Sequence, residues 1–162
     1  MICFPNAKIN LGLNVVNKRP DGYHNIETVF YPIPVKDALE IVSAEELSFT
    51  QTGIQVDAPM EKNLVIKALN LLKTQYDIPA LEVHLLKAIP FGAGLGGGSA
   101  DAAFMLKLLN DFCQLNIQPE ELEKLAATIG ADCPFFIRNT PVFATGTGNI
   151  FEPVELSLKN YH

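Results

Sequence analysis

The feature that most constrains the fold is a dense run of glycine between a strand-like and a helix-like segment. Five of the seven residues from Gly92 to Gly98 are glycine. Residues 81–89 have the pattern of a strand, and apolar side chains recur at helical spacing after Ser99. Glycine lets backbone N–H groups approach a ligand closely, and the start of a helix attracts anions. The run therefore predicts a loop that cradles phosphate; the alternative is a flexible turn.

Three patterns of phosphate-binding loop are relevant to this run. A Walker A loop requires a Lys after its glycines, and none follows here. The dinucleotide pattern G-x-G-x-x-G is present at Gly92, Gly94 and Gly97. However, Pro90 interrupts the preceding strand, and the following helix leads to another helix. The third pattern, P-x-G-x-G-L-G-x-x-S, matches from Pro90 to Ser99.

The remaining periodicity predicts an α+β domain. We expect strands at 8–16, 25–33, 38–43, 46–52 and 81–89, helices at 61–76, after Ser99 and from Pro119, and a strand pair within 141–154. Pro32 and Pro34 are expected to end the second strand. Strands followed by helices with returning strands are typical of a mixed sheet with helices packed on one face. A length of 162 residues suits one domain.

Composition narrows the function classes. The net charge of −6 argues against nucleic acid and anionic membranes as partners. A hydrophobic content of 48% argues against disorder. Cys3, Cys113 and Cys133 have neither the number nor the spacing of a disulfide framework or a metal site. Because we find no signal-like segment and no run of about 18 apolar residues, we expect a cytoplasmic protein.

Four segments together resemble the GHMP kinases, which phosphorylate small metabolites with ATP. They are PNAKINLGL at 5–13, RPDGYHNIET at 19–28, PFGAGLGGGSADAA at 90–103 and GADCPFF at 130–136. The third resembles the family's ATP-binding loop. The DGYH segment resembles the branch whose substrate is a methylerythritol linked to cytidine diphosphate. The resemblance implies ATP and Mg²⁺ as cofactors and phosphorylation of the 2-hydroxyl of that substrate.

The resemblance also implies which residues bind ATP. In the loop they are Pro90, Gly92, Gly94, Leu95, Gly96, Gly97, Gly98 and Ser99. Ser99 is either the N-cap of the following helix or a contact to Mg²⁺ and phosphate, and both roles are compatible. Asn63 is either the cap of the first helix or an adenine-side contact. Lys87 either lines the nucleotide site or is a surface charge on an edge strand.

Two further residues are candidates for the chemistry. Phosphoryl transfer needs positioning, charge neutralisation and a group that takes the hydroxyl proton. From the local sequence, Asp132 suits a helix cap, but the resemblance assigns it as the catalytic base. A lone Lys8 in a strand is typical of a solvated face, but the resemblance makes it the partner of Asp132, stabilising developing charge. Asn10 lies on the same side of the strand as Lys8, and the resemblance implies that it binds the methylerythritol hydroxyls.

Tyr23 and His24 follow a predicted turn. They could form an ordinary core corner, or His24 could be a metal ligand, although no second His is near it in the sequence. The resemblance implies that Tyr23 stacks on the cytosine and that His24 hydrogen-bonds its edge. An aromatic ring is a suitable platform for any base.

The resemblance also predicts the domain organisation. Members of the family carry a second domain, so we expect residues 1–162 to be the N-terminal, ATP-binding domain. We expect the C-terminal domain to be its partner, and the 162 residues alone to turn over little. Two alternatives stay open: a GHMP kinase for another small alcohol, and a non-catalytic module of the same fold that binds a nucleotide or a partner protein.

Overall fold

The computed structural model describes residues 1–55 and 59–160, which contain eight strands and four α-helices. The strands are β1 (Ile2–Cys3), β2 (Asn6–Lys18), β3 (His24–Lys36), β4 (Ala38–Ser43), β5 (Ser48–Gly53), β6 (Leu81–Lys87), β7 (Val142–Thr145) and β8 (Ile150–Pro153). The helices are α1 (Leu64–Lys73), α2 (Gly97–Phe112), α3 (Pro119–Ile129) and α4 (Phe135–Arg138). A 3₁₀ turn, Met60–Lys62, precedes α1.

The described strands form two sheets of four strands each. The first has the order β1-β4-β6-β5 and is mixed, because β5 and β6 run parallel. The second has the order β2-β3-β7-β8 and is antiparallel throughout. In the first sheet, Ile41 and Val83 point into the core, whereas Val42 and Leu86 on the other face are exposed. The predicted α+β class is confirmed, and the first sheet is the expected mixed sheet with one covered face.

Helix α2 lies at the centre of the core. It packs against α1, α3 and α4 and also contacts strands of both sheets. Its residues Ala100, Ala102 and Ala103 are fully buried, and their small side chains permit this close approach. Met105 and Leu106 are also fully buried. Each such large apolar side chain contributes about 1.5–3 kcal/mol on burial, so the helix after the glycine loop is anchored on several sides.

Strand β3 continues through the prolines that were expected to end it. Its pairing with β7 covers only Thr28–Phe30, so beyond Phe30 its hydrogen-bonded neighbour is β2. Pro32 lies opposite Lys8, whose N–H donates away from β3, to the carbonyl of Leu95. The backbone nitrogen of Pro32, which carries no hydrogen, therefore points toward a free edge of the sheet. Proline is tolerated there because no neighbouring strand needs that donor. The predicted boundary is wrong for this reason.

No helix in residues 1–55 and 59–160 is long and apolar enough to cross a membrane.

Candidate active site

The glycine loop joins β6 to α2 and has a regular backbone conformation. Gly92, Gly94 and Gly96 have φ values of +72°, +74° and +70°, in the left-handed region that glycine occupies without steric cost. The carbonyl of Leu95 accepts the Lys8 N–H at 2.9 Å. The loop is therefore hydrogen-bonded to β2 at Lys8, the residue to which the family resemblance assigns a catalytic role.

Helix α2 begins earlier than predicted. Its N-cap is Gly96, no side chain caps it, and its first turn holds no acidic residue. Ala100 is the residue whose N–H closes the first turn, on the carbonyl of Gly96, so the preceding N–H groups lack intrahelical acceptors. These donors and the positive end of the helix dipole suit an anion. Ser99 is the third helical residue, so the N-cap interpretation of Ser99 is wrong.

Two loop glycines are required by packing. A Cβ on Gly96 would lie 2.9 Å from the Phe136 ring, and a Cβ on Gly97 would lie 2.8 Å from Cγ2 of Ile89. Both distances are shorter than real Cβ contacts. At Gly98, by contrast, an added Cβ meets only Leu64, at an ordinary 3.7 Å. Gly98 is thus a position where a Cβ can be added without a steric clash.

An open cavity of about 400 Å³ lies beside the loop. Three of the predicted ATP-binding residues line it together: Asn63, Lys87 and Gly98. Its apolar walls include Phe49, Met60 and Phe91, which the sequence analysis did not single out. Phe91 is 72% exposed, although aromatic residues are usually buried. Its position inside the glycine motif was the one signal that could have indicated a role.

Asn63 caps α1, as one of its two interpretations predicted. Its Oδ1 accepts the N–H of Val65 at 2.9 Å. Its Nδ2 donates to Oε1 of Gln51 at 3.2 Å. The side chain is fixed by these two bonds at the edge of the cavity, so the cap also orients it.

Lys8 lies buried between the loop and the turn that precedes α4. It is 5% exposed, and its Nζ is 3.6 Å from Oδ2 of Asp132. The same Nζ donates to Oδ1 of Asn10 at 2.7 Å and lies 4.5 Å from the centroid of the Phe30 ring. The interpretation of Lys8 as a solvated surface charge is wrong, because the loop packs over its side chain.

Asp132 is the open member of this pair. It lies in the turn between α3 and α4, and its side chain is 36% exposed. The N-cap of α4 is Pro134, with no side-chain cap. Asp132 therefore does not cap α4. Its carboxylate is held near the Lys8 ammonium and remains accessible from solvent.

A hydrogen-bond chain on β2 and β3 orients Lys8 and Asn10. Nδ2 of Asn10 donates to Oγ1 of Thr28 at 3.1 Å, and Thr28 donates to the carbonyl of Gly12 at 2.5 Å. Thr28 is almost completely buried. The sequence analysis missed Thr28, because its contact with Asn10 depends on the pairing of two strands.

Tyr23 and His24 lie at the far end of the β2–β3 hairpin. His24 pairs with Lys18, while Lys8 pairs with Pro32. At ~3.3 Å per residue, roughly 30 Å of strand separates these two points. Tyr23 is 67% exposed, so the core-corner interpretation is wrong. The structure does not bring these two residues into contact with Lys8 and Asp132.

The turn that carries Tyr23 is fixed by Asp21. Its Oδ1 accepts the N–H of Tyr23 at 3.1 Å, and Arg19 Nε donates to its carboxylate. The hydrogen bond from Arg19 is the main reason that the pKa of Asp21 is lowered.

In the described part of the chain, no group of three or more His, Cys, Asp or Glu side chains is placed to hold a metal ion.

Lys87 belongs to a buried charge cluster below the loop. It is 5% exposed and donates to Asp37 and to Oδ2 of Asp101, the latter at 2.8 Å. The edge-strand surface-charge interpretation is therefore wrong. Burial raises the pKa of Asp101 to about 7, and Lys87 offsets only part of that effect. Neither Asp37 nor Asp101 was identified from the sequence.

Comparisons with known proteins show what the whole chain is similar to. Residues 63–140 match the family model described as "GHMP kinases N terminal domain". The solved structure of a 4-(cytidine 5'-diphospho)-2C-methyl-D-erythritol kinase superposes with a TM-score of 0.83 at 35% identity. The match covers 97% of this chain and 56% of that chain. The chain has the fold of a GHMP kinase N-terminal domain.

Curated relatives of this chain are named 4-diphosphocytidyl-2-C-methyl-D-erythritol kinase. One from Parabacteroides distasonis is 83% identical over 162 residues, which is 100% of this chain and 60% of that protein. One from Bacteroides fragilis is 59% identical over 165 residues, covering 99% of this chain and 60% of that protein. The chain therefore spans about 60% of the length of these relatives.

Proposed function

We propose that this domain is the ATP-binding part of a kinase that phosphorylates the 2-hydroxyl of 4-diphosphocytidyl-2-C-methyl-D-erythritol. The observation that carries the proposal is the Lys8–Asp132 pair, which lies against the glycine loop at the start of α2. A base, a buried cation and an anion-binding helix terminus are the groups that phosphoryl transfer requires. The acceptor is taken from the names of the relatives.

Asp132 and Lys8 have different parts in the proposed reaction. Asp132 takes the proton from the substrate hydroxyl, because its carboxylate is accessible and accepts no hydrogen bond within the described residues. Lys8 holds the carboxylate in place and stabilises the negative charge that develops on the transferred group. The hydrogen bond to Asn10 and the Phe30 ring fix the ammonium in position.

ATP, a substrate of this reaction, fits the loop and the cavity next to it. In our proposal the phosphates of ATP lie against the loop from Pro90 to Ser99 and against the first-turn N–H groups of α2. Asn63 and the apolar wall formed by Phe49, Met60 and Phe91 then suit the adenosine portion. Mg²⁺ takes most of its ligands from nucleotide phosphates and water, and Ser99 is our candidate for its protein contact.

Asn10, Tyr23 and His24 are the proposed substrate contacts. Asn10 accepts a hydrogen bond from Lys8, whose Nζ lies 3.6 Å from Asp132, and the reacting hydroxyl must lie near this pair. Tyr23 and His24 stand at the exposed end of the hairpin. In our proposal the methylerythritol end of the substrate lies at Asn10, and its cytosine end lies toward Tyr23 and His24.

The test is an assay of ATP consumption. The protein is this chain extended with the remaining part of the Parabacteroides distasonis relative, which is 83% identical to it. We expect ADP to form with the cytidine-diphosphate-linked methylerythritol and not with mevalonate, homoserine or galactose. Turnover of one of those alcohols instead would identify a GHMP kinase of other specificity. Nucleotide binding without any phosphorylated product would favour a non-catalytic module.

A further inference from the structure

The buried cluster of Asp37, Lys87 and Asp101 connects three parts of the chain around the glycine loop. Asp37 lies between β3 and β4 and is almost completely buried. Its Oδ1 accepts the N–H of Ala88 at 2.6 Å and that of Ile89 at 2.9 Å. Its Oδ2 accepts a hydrogen bond from Lys87. One carboxylate thus holds the three residues that lead into the loop.

Lys87 extends this contact to the other end of the loop. Its Nζ donates to Oδ2 of Asp101, in the second turn of α2. A Cβ on Gly97 would lie only 3.2 Å from the same Nζ. The ammonium therefore packs directly against the first residue of α2. Through Lys87, the strand before the loop and the helix after it are fixed relative to each other.

Stability alone gives this cluster no clear advantage. Burying charges costs several kcal/mol for each ion, and apolar replacements of buried ion pairs are often neutral or stabilising. Here two carboxylates share one ammonium, and Oδ1 of Asp101 is buried with no hydrogen-bond partner among the described residues. What the cluster does provide is a defined geometry, because each of its hydrogen bonds is directional.

We propose that Asp37, Lys87 and Asp101 are positioning residues that fix both ends of the glycine loop, so that its N–H groups are preorganised for the nucleotide phosphates. The nucleotide part of this inference rests on the proposed function. In this role Lys87 acts through the loop and the start of α2, because both carboxylates already engage its ammonium. Preorganised donors bind a charge without the cost of ordering the loop at that moment.

The first test is amide hydrogen exchange and needs no nucleotide. Asp37→Asn keeps the side-chain shape but removes the charge that Lys87, Ala88 and Ile89 share. Hydrogen bonds to a charged group are worth enough that exchange at Ala88 and Ile89, which both donate to Asp37, should accelerate about 10-fold or more. The control is Glu121→Gln, which removes an exposed ion pair with Lys124 on α3 and should leave the loop unchanged.

A uniform acceleration over the whole chain would show that the cluster only stabilises the fold, and unchanged exchange at Ala88 and Ile89 would overturn the proposal as well. If Asp37→Asn does not fold, Asp101→Asn gives the same test from the helix side. It should accelerate exchange at Ala100, whose N–H donates to the carbonyl of Gly96, but not at Ala88 and Ile89. The proposal assigns Asp37 to the strand side of the loop and Asp101 to the helix side. Faster exchange on both sides, or on neither, would contradict that assignment.

The second test is the affinity for a non-hydrolysable ATP analogue, measured by calorimetry well below the unfolding temperature. Asp37→Asn should weaken binding about 10-fold or more, while Glu121→Gln should bind as the unchanged protein does. Equal affinities in all three proteins would overturn the positioning role. If the unchanged protein binds no analogue, the proposed function fails, and the exchange experiment still decides whether the cluster fixes the loop.

Discussion

The Lys8–Asp132 pair combines a fixed cation with an accessible carboxylate. Lys8 is held by the Asn10 oxygen and the Phe30 ring and is covered by the glycine loop. Asp132 has one charged neighbour at 3.6 Å and a side chain that is 36% exposed. An ion pair with a purely structural role does not require a solvent-accessible carboxylate, whereas a general base must be able to contact the proton that it removes. The asymmetry of the pair is therefore the residue-scale feature that indicates chemistry.

Asp132→Asn should separate a catalytic from a structural role. In the extended protein, we expect kcat to fall by ~10²–10⁴-fold, the usual contribution of a general base. The melting temperature and the affinity for an ATP analogue should change little, because Asp132 caps no helix and is partly exposed. Asp77→Asn, a change at an exposed site after α1, is the matched control. A near-normal kcat would remove Asp132 from the mechanism.

Lys8 and Asp132 should act as a unit. Lys8→Ala alone should also lower kcat, because the negative charge that develops on the transferred group loses its partner. The double variant should lose less than the product of the two separate losses, since each change disables the same arrangement. Steady-state kinetics of the four proteins measures this coupling. Strictly multiplicative losses would mean that the two residues contribute independently.

At the scale of elements, the strand, loop and helix around Gly92–Gly98 were predicted well because their signals are local. Glycine density and helical spacing can be identified within one short window of sequence. The start of α2 was misplaced because the left-handed φ of Gly96, and not the hydroxyl of Ser99, ends the loop. Phe136 packs against Gly96, and Ile89 packs against Gly97. The sequence of the loop alone does not predict which of its glycines have such close neighbours.

Substitutions at Gly96 and Gly98 should therefore affect different properties, namely stability at Gly96 and nucleotide binding at Gly98. Gly96→Ala places a Cβ at positive φ and against Phe136, which should destabilise the fold by about 1–3 kcal/mol. Gly98→Ala has no such clash, and Gly98 lines the cavity. This substitution should weaken binding of an ATP analogue while unfolding free energy changes by less than ~1 kcal/mol. Denaturant titrations and calorimetry on both variants test this, and the reverse order of effects would contradict the cavity assignment.

Asp101 should make stability depend on pH. Its pKa is raised from 3.8 to about 7, chiefly by desolvation. Between these two values the folded protein retains a proton that the unfolded chain has released, so the contribution of Asp101 falls as pH rises from about 4 to 7. Asp101→Asn removes this pH-dependent contribution to the unfolding free energy. The unfolding free energy of the variant relative to the unchanged protein should thus increase from pH 5 to pH 7.5; a constant difference would contradict the shift.

At the scale of the whole molecule, the sequence predicted the α+β class but not how the strands divide. β1 pairs with β4, and β7 joins β3 from more than one hundred residues away. Such pairing depends on packing that no local pattern encodes. The same limit explains why Asp37 and Asp101 were missed, since their meeting with Lys87 requires three separate elements. Residues within recognisable motifs were found, and residues that serve those motifs from elsewhere were not.

The candidate site is open in residues 1–55 and 59–160. Asp132 is partly exposed, Tyr23 and Phe91 are largely exposed, and the cavity beside the loop opens to solvent. Phosphoryl transfer depends on exact positioning and on protection of the reacting groups from water. The relatives are longer than this chain, which spans 60% of the Parabacteroides distasonis protein. We infer that the further part of such a protein closes the site over the acceptor.

This inference predicts a difference in turnover between two proteins that share residues 1–162. The chain extended with the rest of the Parabacteroides distasonis relative should consume ATP with the cytidine-diphosphate-linked substrate at least ~10²-fold faster than residues 1–162 alone, the cost expected of a poorly positioned acceptor. Both proteins should bind an ATP analogue, because the loop, α2 and the cavity lie within residues 1–162. Asp132→Asn in the extended chain should abolish most of its gain, which assigns the added turnover to this site. Equal rates in the two proteins would show that the site needs no further cover.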